Sequence, residues 1–344
     1  MNRRTLLQAG GALGAAALAG CSNLISTQPA GNPPVIDDRP AAVYYPTHVE
    51  GMDMVGMGES GDYRFGLMYS YPHRFWNVTG TETTRTGIGS GDDVHIMASV
   101  WDGETMQVLP DTGLSLTIRR DGDIVFEEVV YPMLSQRMGT HYGANAGLDG
   151  DGTYEVTVSV GGMSTRRTGA FEGRFGEPAS ATIEFDYSQG ARDGLSRELT
   201  PDRAGERAAV DPMDMEMMPT GTAPARDSLP NVRGSATSGD AEFVVGTLDS
   251  PPAGIDGSGT YLYVSPRTPY NQMTLPAMTV EAATGGFDGE LTRTLDSELG
   301  YHYGTVVDSP GDSVTVTPTV PPQTARHEGY ETAFLAFESM EVSL

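Results

Sequence analysis

Short runs that alternate apolar and polar residues, each closed by a glycine- or proline-bearing turn, limit what this chain can fold into. Tyr154-Glu155-Val156-Thr157-Val158-Ser159-Val160 is the plainest of them. A period of two sends successive side chains to opposite faces of a strand, so such a run buries one face. Asp93 to Val100 repeats the pattern, with Val94, Ile96, Ala98 and Val100 on one face and His95, Met97 and Ser99 on the other. Leu114, Leu116 and Ile118 alternate with Ser115 and Thr117, then turn at Asp121-Gly122, a hairpin signal, into Ile124–Val130. Ile183, Phe185 and Tyr187 alternate with Glu184 and Asp186. Gly and Pro, 44 and 23 residues, make up nearly a fifth of the 344, and no long helical period interrupts them. The expectation is an all-β protein of two-sheet, immunoglobulin-like β-sandwiches.

The pattern occurs twice. Strand-like runs resume at Glu242–Thr247, Tyr261–Val264, Met278–Ala282, Ser313–Val320 and Phe334–Val342. Gly139-Thr140-His141-Tyr142-Gly143 returns as Gly300-Tyr301-His302-Tyr303-Gly304, followed in each half by an alternating valine strand. Arg166-Arg167-Thr168-Gly169-Ala170-Phe171 has a looser echo in Arg326 to Phe334. This predicts two tandem sandwich domains, 43–190 and 231–344, the second a degenerate repeat of the first. The stretch 191–230 between them loses the alternation and reads as a methionine-containing linker with at most one short helix.

The start of the chain reads as targeting. Arg3-Arg4 precedes an Ala/Gly/Leu run ending in Leu18-Ala19-Gly20-Cys21. A twin arginine before an apolar stretch resembles a twin-arginine export signal, and Leu-Ala-Gly-Cys resembles a lipobox whose cysteine is lipidated after cleavage. Residues 1–21 are thus expected to be a signal and 22–42 a flexible tether. Cys21 would anchor the protein to the outer face of the cell membrane. It is the one cysteine, which excludes disulfides within a chain and cysteine-built zinc or iron–sulfur sites. The net charge is −25 and every basic residue is arginine, a balance that reads as adaptation to molar salt. No basic patch offers a surface to nucleic acid.

The most informative loop is Tyr131-Pro132-Met133-Leu134-Ser135-Gln136-Arg137-Met138-Gly139-Thr140-His141-Tyr142-Gly143-Ala144-Asn145. Thioether and imidazole brought together form a soft-to-borderline donor set that suits copper. Here the chain resembles the bacterial periplasmic iron-uptake accessory proteins that bind copper through Met and His (the Fe(II) transport periplasmic protein family). These carry Pro-Met, a short loop and then His-Tyr-Gly-Ala-Asn. The resemblance implies the same immunoglobulin-like sandwich, a copper ion as Cu(I) or Cu(II) with iron as a further metal, a membrane iron permease as partner, and dimerisation. Here the tandem repeat would supply that dimer within one chain. His95 and Met97 would share a strand face with Met133 and His141 nearby, so these four are the expected metal ligands. Two departures from the family stand out. Its upstream strand carries His-x-Glu where this chain has His95-Ile96-Met97, which softens the site toward Cu(I). Its later ligand histidine has no counterpart in Met163 to Arg167 of the first half.

The second half does carry a histidine at that place, His327. It either pairs with His302 in a second weak site, completes the first site across a domain interface, or is an ordinary hydrogen-bonded residue. The stretch corresponding to Met133, Leu291–Glu298, has no methionine. Two further methionine groups, Met52-Asp53-Met54-Val55-Gly56-Met57 and Met213-Asp214-Met215-Glu216-Met217-Met218, resemble motifs that hold Cu(I) loosely outside cells, and His48 lies close to the first. His73, within Tyr71-Pro72-His73-Arg74-Phe75-Trp76, reads as part of an aromatic packing corner. No nucleophile elbow, phosphate loop, zinc-protease helix or dinucleotide fingerprint is present, so an enzyme is not expected. The sequence predicts an exported, lipid-anchored metal-binding protein that supports metal uptake through a permease. Its rivals are a copper storage or resistance protein and a surface interaction protein that has lost the metal.

Overall fold

A computed structural model describes residues 33–215 and 217–344. The expected signal, Cys21 and the first part of the tether lie outside them. Among the described residues no helix is long and apolar enough to cross a membrane.

The chain is built from strands packed as two sandwiches. In the first, Asp123–Val129, Leu114–Arg120, Gly152–Val160 and Ala179–Tyr187 form one antiparallel sheet. The predicted turn is there, with both Asp121 and Gly122 at positive φ (53° and 91°), the backbone that a tight two-residue hairpin needs. The facing sheet has eight strands, with Asp53–Ser60, Tyr63–Ser70, Val94–Asp102, Gly139–Ala146 and Tyr131–Ser135 side by side. The alternating residues do what their period demands. Val94, Ile96, Ala98, Leu114, Leu116, Ile118, Tyr154, Val156 and Val158 are at most 1% exposed and meet in one core between the sheets. Each such aliphatic side chain contributes about 1.5–3 kcal/mol of burial.

The second half repeats this with a six-stranded and a four-stranded sheet. Thr260–Arg267 and Gly300–Val307 occupy the places that Val94–Asp102 and Gly139–Ala146 hold in the first. The connecting stretch carries one short helix, Gln189–Asp193, capped by Ser188 Oγ, and a strand, Arg197–Leu199, that pairs with His48–Glu50.

The halves also exchange strands. Ala325–Arg326 of the second half enters the eight-stranded sheet of the first, parallel to Tyr131–Ser135 and antiparallel to Phe75–Thr79. Reciprocally, Arg166–Thr168 of the first half lies parallel to Thr292–Asp296 in the sheet of the second.

One expectation needs correction. Alternation predicts that Val94–Asp102 buries one face and turns the other, with His95 and Met97, outward, yet all nine residues of that strand are buried. The cover is the end of the connecting stretch, strapped across the sheet. Val210 N–H donates to Gln136 Oε1 (2.7 Å) and Met213 N–H to the Arg137 carbonyl (2.8 Å).

Candidate metal centre

Strand register builds the centre. On three neighbouring strands the core takes Ile96, Ala98, Leu134, Tyr142 and Ala144, so alternation sends His95, Met97, Met133, His141, Gly143 and Asn145 to the other face. Pairing sets His141 opposite Met133, Asn145 opposite His95 and Gly143 opposite Met97. The four predicted ligands therefore share one face of one sheet.

Two histidines join from outside this strand set. His73, just before Phe75–Thr79, stacks its ring on His95 with centroids 3.9 Å apart. His327, directly after the exchanged strand, brings its ring to 4.7 Å from His73 and 5.1 Å from His141. Its Nε2 stands 3.3 Å from Met133 Sδ. One ligand nitrogen each from His73, His95 and His327 lie within 4.8 Å of one another. Nitrogens bound to a single ion at about 2 Å stand up to roughly 4 Å apart, so the farthest pair has to close by about 1 Å, within reach of rotamer adjustments.

The hydrogen bonds fix which nitrogen is free. Asn145 Nδ2 donates to the His73 carbonyl (2.9 Å), which leaves its Oδ1 to accept from His95 Nδ1 (2.8 Å). His141 Nδ1 donates to the Gly139 carbonyl (3.0 Å). His73 Nδ1 faces Glu50 Oε2 at 2.9 Å. With Nδ1 of His95 and His141 holding the proton, their Nε2 atoms carry lone pairs. The Nε2 atoms of His73, His95 and His141 are buried without a hydrogen-bond partner among the described residues. Buried polar atoms ordinarily find partners, and an orphan costs about 1–3 kcal/mol. Burial lowers the His141 pKa to about 4 and takes His95 well below the usual imidazole range, helped by the neighbouring His73. Neutral imidazoles with free lone pairs are what a transition metal binds.

Two more residues shape the site. A β-carbon at Gly143 would stand 2.8 Å from His95 Nε2 and 3.1 Å from Met133 Sδ, so only glycine leaves those two donors room. Behind His73, Glu50 also accepts from His48 Nε2 (3.0 Å) and lies 3.6 Å from Arg197. Burial works to raise the Glu50 carboxyl, but His73 and His48 outweigh it and hold it well below the usual carboxylate range. A carboxylate on the far nitrogen of a ligand histidine fixes its tautomer and orientation.

The model of a family described as a domain of unknown function, DUF7350, matches residues 53–184 and 226–343. The chain belongs to the DUF7350 family. No curated protein matches it. Among solved structures, as-isolated FetP of uropathogenic Escherichia coli strain F11 is similar at 21% identity and a TM-score of 0.30, over 41% of this chain and 96% of FetP. A copper-bound variant of the same protein gives 22% and 0.31, over 40% and 97%.

The second half of this DUF7350 chain holds a counterpart in which every donor is spent. His302 takes the place of His141 and donates from Nδ1 to the Gly300 carbonyl in the same way (2.9 Å). Its Nε2, however, accepts from Tyr261 O–H at 2.9 Å. Thr294 stands opposite His302 where Met133 stands opposite His141. Arg166, from the exchanged strand, fills the remaining space and donates to Thr294 Oγ1, Tyr261 Oη and the Gly304 carbonyl at 2.7, 3.1 and 3.0 Å. Both ring nitrogens of His302 are thus engaged, and its imidazole has no lone pair to spare. His302 and His327 are not neighbours in one site.

Met97 lines the same cavity of about 100 Å³ as His48, Glu50, Met52, Met138 and His327. Its side chain packs with Met68, Trp101, Met138 and Met218 rather than among the rings. His73 does not belong to an aromatic packing corner. Phe75 and Trp76 belong to the sheet, and the turn before them swings His73 onto His95. The signal for it was Pro72, which cannot donate to a strand ladder and follows the end of Tyr63–Ser70.

Proposed function

We propose that this chain binds copper at a centre made of His73, His95, His141, His327 and Met133. One observation carries the reading: three buried imidazole Nε2 atoms without partners, beside a fourth imidazole set against a thioether. Imidazole with thioether selects copper over the harder metals, which prefer oxygen. Glu50 lies outside the converging group of nitrogens, which argues against iron as the preferred occupant. The ion would be held by the histidine nitrogens, with Met133 favouring the Cu(I) state. The chain's own contribution is to keep the rings neutral, aligned and shielded from water. The second sandwich serves the first by delivering His327.

The wider setting follows from the sequence. Export, anchoring through Cys21 outside the membrane, and service to a membrane metal permease fit a protein that holds a metal ion. The strand exchange would let one chain do the work of a dimer.

Calorimetric titration of the purified protein at high salt with Cu(I), Cu(II), Fe(II) and Zn(II) tests the proposal, beside the double variant Met133→Ala, His141→Ala. Copper binding that the double variant loses supports it. Binding that the double variant retains, or no binding at all, overturns it and leaves the interaction-protein reading.

A further inference from the structure

The histidine centre leaves most of the chain's methionines unexplained. A large group of them gathers on one flank of it. They come from distant parts of the sequence. Met52 precedes the first strand of the sheet and Met57 lies within it, Met68 pairs across strands with Met97, and Met138 sits in the turn before His141. Met213, Met215 and Met218 arrive on the strap that covers the sheet. The two methionine motifs that looked separate in the sequence are therefore brought to one place.

The composition of that place is unlike the rest of the interior. The main core is mostly Val, Leu, Tyr and Phe, and only Met163, Met273, Met278 and Met340 among its buried residues are methionines. The flank cluster buries Met68, Met97, Met138 and Met218 with Trp101, and packs Met52, Met213 and Met215 against them, without one branched aliphatic residue. Leucine fills such a space equally well and specifies packing better. A cluster that excludes it uses something leucine lacks, and the candidate is the sulfur lone pair.

The tract also has direction. At its outer end a surface groove is lined by Met57, Met106 and Met217 with Trp101, and these thioethers are 42%, 41% and 62% exposed. Next inward, Met218 Sδ and the Trp101 ring lie together over Gly66, where a β-carbon would meet them at 2.6 and 3.1 Å. At the inner end Met52, Met97 and Met138 line the cavity that His73 and His327 also line. Thioethers are neutral at any pH and bind soft monovalent cations without proton release.

From these observations we infer a second metal site, built from thioether sulfur alone around Met52, Met97 and Met138, for a soft monovalent cation of the Cu(I) class. The exposed groove is its entrance. The site itself stands without the histidine centre; delivery of the cation onward to the imidazoles rests on the copper reading above.

The test uses Ag(I), a redox-inert probe of the same softness, on the full chain labelled with [13C-methyl]methionine. Substoichiometric Ag(I) should shift the methyl signals of Met52, Met97 and Met138 separately from that of Met133, which reports the histidine centre. The triple variant Met52→Leu, Met97→Leu, Met138→Leu, close to volume-conserving, should bind one equivalent of Ag(I) fewer and keep its Cu(II) uptake. If Ag(I) moves only Met133, or the triple variant binds as much Ag(I) as the parent, the thioether site is refuted while the histidine centre survives. If the thioether methyls move but Cu(II) does not bind, the histidine reading falls and the thioether site stands.

Discussion

His141 and His302 provide a matched pair within one molecule, and replacing each with leucine separates a ring held for a metal from a ring held for the fold. Both donate from Nδ1 to the carbonyl two residues before, at 3.0 and 2.9 Å, and both are at most 1% exposed. They differ at Nε2, which is orphaned in His141 and bonded to Tyr261 Oη at 2.9 Å in His302. Both variants lose the shared Nδ1 bond. His141→Leu also removes an orphan that costs about 1–3 kcal/mol, while His302→Leu loses a further bond contributing about 0.5–1.5 kcal/mol. The metal-free proteins should therefore differ by about 2–4 kcal/mol, with His141→Leu near the parent and His302→Leu well below it. At about 2–4 °C per kcal/mol for a chain of a few hundred residues, the melting temperatures should lie roughly 5–15 °C apart. Calorimetry at high salt reads this directly, and a second arm adds Cu(II). At about a hundred times its dissociation constant the ion should stabilise the parent and His302→Leu by about 2.7 kcal/mol each, and His141→Leu by far less. Equal destabilisation of the metal-free protein by both leucines would refute the reasoning, since His141 Nε2 would then have a structural partner.

Further outcomes follow from the same geometry. Gly143→Ala should weaken copper binding because the new methyl stands 2.8 Å from His95 Nε2; Gly161→Ala, with nothing within 4 Å, is the control, and equal affinities would count against the placement of His95. Glu50→Gln should lower copper affinity about 10–100-fold by weakening the hold on His73, and an unchanged titration would show that His73 needs no carboxylate behind it. His302 titrates near pH 4 in the fold, where burial lowers it, against about 6.5 in an unfolded chain. Between those values the unfolded chain binds the extra proton, so the stability His302 contributes is complete above about pH 6.5 and lost as pH falls toward 4. Denaturation of His302→Gln across that range should show a shallower fall than the parent, and parallel curves would contradict it.

The strands were legible in the sequence because alternation is local. Val94 to Val100 and Tyr154 to Val160 state their buried faces within a few residues. The same period placed His95 and Met97 on one face; Met133 and His141 came from the motif they share, and only the strand register sets all four on one side of one sheet. What local pattern could not supply was the cover and the company. His327 reaches Met133 across 194 positions of sequence by way of a two-residue strand too short to show any period. Its membership of this centre was one of three readings that the sequence left open. His73 was misread because its neighbours are aromatic and its turn is set by Pro72, while its contact with His95 depends on Asn145, which binds the His73 backbone and the His95 ring together. Met97 has the right face, but the methionines of the strap draw its side chain into their own cluster, and no spacing along the strand announces that.

The reciprocal strand exchange also governs the order of events in the life of the chain. His95, Met133 and His141 are translated long before His327, and the edge beside Tyr131–Ser135 stays unpaired until Ala325–Arg326 is made and inserted. Contacts so distant in sequence form late and slowly in folding. A nascent or truncated chain could present some imidazoles but not the closed set, so the fourth histidine would act as a completion signal for the proposed centre. On the copper reading, only molecules whose last strands are in place would retain the ion firmly, and tight metal binding would report on finished folding.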